Sequence, residues 1–103
     1  MNEKLHTESV DMLFDSILTL KTKDECYKFF EDLCTVNELL SLAQRFEVAM
    51  MLKNKKTYME IASSTGASTA TISRVNRSLI YGCDGYDIVL ERLGKIEKES
   101  DKN

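Results

Sequence analysis

Residues 53–83 concentrate the side chains of this chain that are suited to chemistry with a partner. Lys53, Lys55, Lys56, Arg74 and Arg77 stand there against one acidic residue, Glu60, and small or hydroxylated residues lie among them in "TYMEIASSTGASTATISRV", residues 57–75. The set suits non-covalent contact with a polyanion. Arginine can grip guanine or phosphate, and Ser, Thr and Ala let a helix come close to base edges and thymine methyl groups, where a bulky acidic face could not enter. Thr69, Ala70, Ser73, Arg74 and Arg77 are therefore expected to form a reading face, with Lys53, Lys55 and Lys56 against the flanking phosphates and Thr57 grouped with them.

Two helices crossing at a tight turn would position such a face. Ile61, Ala62, Gly66, Ile72 and Val75 have the spacing this requires: Ala62 is small where the second helix passes over, and Gly66 can take the left-handed conformation that ends the first helix. Ile61, Ile72 and Val75 would fill the angle between the helices. At about 100 degrees per residue, Ile72, Val75 and Leu79 share the inner side of the second helix and leave the polar residues outside. An ordinary helical hairpin would use Gly66 only as a cap and leave the hydroxyls solvated, and either arginine alone could serve a surface salt bridge. Five packing positions, a polar second helix and coincident positive charge together favour DNA reading by a helix-turn-helix over residues 57–80.

The overall charge of −3 hides this block. Residues 1–52 carry −5, residues 53–83 carry +4 and residues 84–103 carry −2, and phosphate contact depends on the local field. Three cysteines without a CxxC pair and one histidine, His6, argue against a zinc site, which needs about four clustered ligands. Reduced, mostly buried thiols are expected instead. No catalytic pair, phosphate-cradling glycine loop or cofactor motif is present, so neither an enzyme nor a cofactor is expected. The acidic N-terminal end lacks a signal-peptide pattern and no apolar run reaches the roughly 18 residues of a bilayer span, which points to the cytoplasm and away from membranes.

With 103 residues, no proline and 43% apolar residues, the chain fits one all-α domain of about six helices. Residues 8–20 have helical apolar spacing. Thr22 with Glu25, Thr35 with Glu38 and Thr57 with Glu60 are capping-box pairs that open further helices, and Ser68 and Asp84 are positioned to cap two more. In the third helix, to about Lys53, the expected buried face holds Leu39, Leu42, Ala43, Phe46, Ala49 and Met50, with Val48 at its margin. Ile88, Val89, Leu90, Leu93 and Ile96 are the apolar positions of the last helix, and "KESDKN" is expected to fray. The N-terminal helices, about residues 8–34, are more than a three-helix reading unit needs, and their apolar faces suit either the chain's own core or a second copy of the chain.

"GASTATISRVNRSL", residues 66–79, resembles the turn and reading helix of the Trp repressor, and the whole chain is similar to the Trp-repressor-related YerC/YecD family of bacterial proteins. The likeness also takes in "LLSLAQRFEVAMML" and "DIVLERL". It implies an intertwined homodimer that binds operator DNA and represses transcription, with two reading heads one DNA turn apart. Ser68, Thr69, Ala70 and Ser73 then match positions that approach bases, often through water. Thr71, Arg74, Val75, Ser78 and Arg45 match an effector pocket. The repressor has glycine where this chain has Val75, and that missing side chain makes room for an indole, so L-tryptophan is not expected as corepressor. The competing reading is a helical protein-interaction module that keeps the fold but recruits a protein through its acidic N-terminal half.

Overall fold

A computed structural model of the chain describes residues 2–96. Among these there are six α-helices, no strand, and a short 3-10 turn at Glu3–Leu5: α1 (Glu8–Ile17), α2 (Lys23–Leu33), α3 (Val36–Lys53), α4 (Tyr58–Thr65), α5 (Thr69–Tyr81) and α6 (Gly85–Leu93). The chain divides between Leu39 and Leu40 into two compact units. The expected fraying of "KESDKN" lies outside the described residues.

In the first unit the helices are set by their caps. Thr7 accepts the Val10 N–H ahead of α1, and Thr22 accepts the Glu25 N–H ahead of α2. Glu25 does not return to Thr22 as a full capping box would; its Oε1 accepts the Lys21 N–H at 2.9 Å. At Thr35 the box is complete, with the Thr35 N–H donating to Glu38 Oε1 at 2.9 Å and the Glu38 N–H to Thr35 Oγ1 at 3.1 Å. The Thr35 backbone N–H, and after it the Thr35 hydroxyl, hold the Glu38 carboxyl below the usual glutamate range. Helix α1 ends at Ile17 and does not reach Leu20. Ser16 Oγ donates back to the Met12 carbonyl and Thr19 Oγ1 to that of Ser16, side-chain bonds that compete with another helical turn.

No described residue of the first unit is buried. Met12, Phe14, Leu18, Tyr27, Leu33 and Val36 are all exposed, Leu18 by 82%. Phe29 and Phe30 meet edge to face at 5.5 Å between centroids, each only half-buried.

The second unit holds the core: Val48, Ala49, Ile61, Ala67, Ile72 and Val75, with Met51, Leu52, Ala62, Leu79 and Tyr86 packed on it. The buried stripe of α3 is therefore not the expected one. Val48 and Ala49 are fully buried, Phe46 and Met50 half-buried, and Leu42 and Ala43 exposed. In α6 only Leu90 is buried, while Ile88, Val89 and Leu93 are exposed. Asp84 precedes α6 but does not cap it with its side chain, because its backbone is left-handed, φ 62°. The cysteines also depart from expectation: Cys26 and Cys83 are exposed and Cys34 is half-buried. Among the described residues, no helix is long and apolar enough to cross a membrane and no His, Cys, Asp or Glu cluster could hold a metal.

Candidate nucleic-acid interface

Helices α4 and α5 pack against each other through the turn at Gly66–Ser68. The reason is local. Thr57 and Glu60 close a complete capping box at the start of α4, and Gly66 ends the helix at φ 71°, where a side chain would be strained. Ser68 Oγ then accepts the Thr71 N–H at 3.1 Å and starts α5. Thr65 adds a link that residue spacing did not reveal: its hydroxyl donates to the Ile61 carbonyl at 2.8 Å and accepts the Ala67 N–H at 3.1 Å. Its carbonyl accepts a bond from Gln44 Nε2 at 3.1 Å, which ties α3 to the turn.

Ile61 and Ile72 are fully buried and Val75 is 1% exposed, so the inner side of the motif is the core. Ala67 is also buried, a position whose only signal in the sequence is a small apolar residue between the glycine and the cap. On the outer side, Ser68, Thr69, Ala70, Ser73, Arg74 and Arg77 are all exposed along one stretch of α5. The Arg77 guanidinium lies 5.8 Å from the centre of the Tyr81 ring, a cation–π distance. Helix α5 ends at Gly82, where a Cβ would come within 2.3 Å of the Ser78 carbonyl oxygen.

Lys55, Lys56 and Thr57 are exposed at the α3–α4 corner, and Lys55 is left-handed, φ 64°. Its N–H donates to the Leu52 carbonyl and that of Lys56 to the Met51 carbonyl, both at 3.0 Å, a Schellman closure with lysine at the position glycine usually takes. Lys53 is different. It is half-buried and its Nζ lies 2.9 Å from Asp87 Oδ1 in α6, so the structure pairs it with a carboxylate of the chain, unlike its exposed neighbours.

The effector-pocket residues separate into three places. Arg45, Thr71 and Arg74 line one polar cleft of about 360 Å³, joined by Ser41, Gln44 and Ala70. Among the described residues, neither guanidinium has a carboxylate at ion-pair distance. Ser78 lines a second, mainly apolar groove with Phe46, Tyr86 and Val89. Val75 lines neither, because its side chain belongs to the core.

Comparison with known proteins identifies the fold and the family. The chain is 57% identical over 98 residues to uncharacterized protein YerC of Bacillus subtilis (strain 168), covering 95% of this chain and 94% of that one. A crystal structure of a TrpR-like protein from Eubacterium eligens ATCC 27750 is 67% identical, with a TM-score of 0.91 over 94% of this chain and all of that one. A Staphylococcus aureus structure of the same fold is 56% identical, with a TM-score of 0.89 over 94% of this chain and 96% of that one. The model of the Trp repressor protein family matches residues 8–94. The chain belongs to the Trp repressor family, whose members are helix-turn-helix regulators of transcription and not enzymes.

Proposed function

We propose that this protein is a cytoplasmic, homodimeric transcription repressor that reads operator DNA with α5 and does so without tryptophan. The observation that carries the reading is the division of α5: Ile72 and Val75 are locked in the core, and Thr69, Ala70, Ser73, Arg74 and Arg77 are presented together outside it. A rigid inner side fixes the reading residues, and the small side chains of Thr69, Ala70 and Ser73 let the helix backbone come close to base edges. Lys55 and Lys56 supply charge for phosphate at the edge of the same motif.

A homodimer is supported by the first unit, none of whose described apolar side chains is fully buried. A dimer would also supply the second reading head that a two-fold operator requires. Independence from tryptophan is supported by Val75, which fills the position where the resemblance implies glycine and space for an indole. The Arg45–Thr71–Arg74 cleft is polar and is the place for any effector of another kind.

Selection of bound sequences from random duplex DNA tests the reading, with enrichment of a palindromic consensus as the expected result. Failure to enrich any sequence, together with no shift of duplex DNA at low salt, would overturn it in favour of a protein-interaction module. Calorimetric titration with L-tryptophan should show no saturable heat, and micromolar binding would refute the absence of a tryptophan site.

A further inference from the structure

The basic block does not act as one surface: Lys53 belongs to a strap that joins the end of α3 to α6. Its ammonium lies 2.9 Å from Asp87 in the first turn of α6. The next residue holds the other end of that helix, with Asn54 Nδ2 donating at 2.8 Å to the carbonyl of Lys95, just beyond the Gly94 cap. Asn54 Nδ2 also lies 2.8 Å from the Met50 carbonyl, so the same side chain closes α3. Asp87 Oδ1 is shut off from solvent and has no hydrogen bond of good geometry, which leaves the Lys53 charge as its compensation.

This strap sits where the core stops. Ile61 is the first buried residue of α4, and Tyr58, Met59 and Glu60 before it are exposed, Met59 by 83%. The first turn of α4 is therefore held by its capping box and by the corner it leaves. That corner is short and strained, with Lys55 left-handed directly after the strapped pair. From these contacts we infer that Lys53, Asn54 and Asp87 are positioning residues, through which α6 sets the direction in which α4 leaves α3 and so aims the reading head. The inference rests on the DNA-reading function proposed above. It removes Lys53 from the phosphate contacts and gives α6 a part in recognition without touching DNA.

The test uses the full chain, with Lys53→Met, Asp87→Asn and the exchange Lys53→Asp/Asp87→Lys, at a temperature where melting curves show every variant folded. The probe is the duplex that the wild-type protein enriches from a random pool. Both single variants should bind it more weakly, by about 2- to 30-fold, and the exchange should restore binding. Asp87→Asn decides the sign. It deletes a negative charge, so charge alone predicts tighter binding to DNA, whereas loss of the strap predicts weaker binding. The salt dependence of binding should keep its wild-type slope in Lys53→Met. A slope smaller by about 0.9, with Asp87→Asn neutral or tighter, would make Lys53 a phosphate contact and overturn the strap. Amide hydrogen exchange gives a readout independent of DNA: both single variants should lose protection in the first hydrogen-bonded turn of α4 while Ile72 and Val75 keep theirs. Wild-type protection of that turn in both variants would refute the positioning role even if no duplex were bound; absence of DNA binding by the wild-type protein, with protection lost as expected, would refute the DNA-reading function alone.

Discussion

The unit from Leu40 onward fully buries Val48, Ala49, Ile61, Ile72 and Leu90, whereas the unit ending at Leu39 buries none of its described residues. Both are helical and both have well-capped helices. What separates them is where the apolar side chains go: inward onto a crossing of α3, α4 and α5 in one, and largely to the surface in the other. A single chain thus provides the rigid support of α5 by itself. The apolar faces of α1 and α2 are where the proposed dimer would gain its stability, since exposed residues such as Phe14 and Leu18 gain free energy only when something covers them.

The sharpest way to break the comparison is to weaken each unit by the same kind of change. Ile72→Ala should lower unfolding free energy by about 2–5 kcal/mol in urea titrations, the range for deleting a well-packed aliphatic side chain. Leu18→Ala, followed the same way at a concentration too low for self-association, should change it by less than about 0.5 kcal/mol. Equal losses would mean that the first unit is held together as tightly as the second. Next in size is the effect on assembly. Phe14→Glu with Leu18→Glu should raise the dimer dissociation constant in sedimentation equilibrium by more than tenfold, since each large apolar side chain buried contributes about 1.5–3 kcal/mol.

A smaller effect is expected at the turn. A Cβ on Gly66 meets nothing within 4 Å, so Gly66→Ala carries only the cost of a left-handed backbone, about 1–2 kcal/mol. Differential scanning calorimetry should show a modest fall in Tm with the fold retained. The smallest concerns the cap of α3. Glu38 titrates lower in the folded chain than in the unfolded one, so its contribution is fully present above the unfolded value and is lost as pH falls through the folded one. Glu38→Gln should flatten the dependence of stability on pH across that acidic window and leave the remaining profile unchanged.

The same contrast explains what could be read from the sequence. The helix-turn-helix was legible because its constraints are local and of several kinds: a capping pair at Thr57 and Glu60, a left-handed glycine at 66, a cap at Ser68 and apolar residues at helical spacing all agree within 19 residues. Helix α3 was less legible. It is apolar on several sides, and periodicity does not reveal which side faces the core, so Leu42 and Ala43 were expected inside and lie exposed. The pairing of Lys53 with Asp87 was invisible for a different reason. It joins residues 34 positions apart, and nothing in a run of lysines distinguishes the one that turns inward. The thiols of Cys26 and Cys83 show the limit of residue-type preference: free cysteine is commonly buried, but here two occupy exposed positions. The effector-pocket positions divided because shared membership of one helix does not bring side chains to one cavity, and Val75 points into the core while Arg74 beside it lines the cleft.

The central claim is that the exposed side of α5 reads DNA while its buried side only supports it. The most direct test is salt-dependent titration of the selected duplex, by fluorescence anisotropy, with wild-type protein, Arg77→Ala and Ser73→Ala. Removing Arg77 should weaken binding to every duplex alike and reduce the slope of log K against log salt by about 0.9. Removing the Ser73 hydroxyl should leave that slope intact and change the preference among single-base variants of the site. Wild-type affinity, slope and preference in both variants would contradict the assignment of this face.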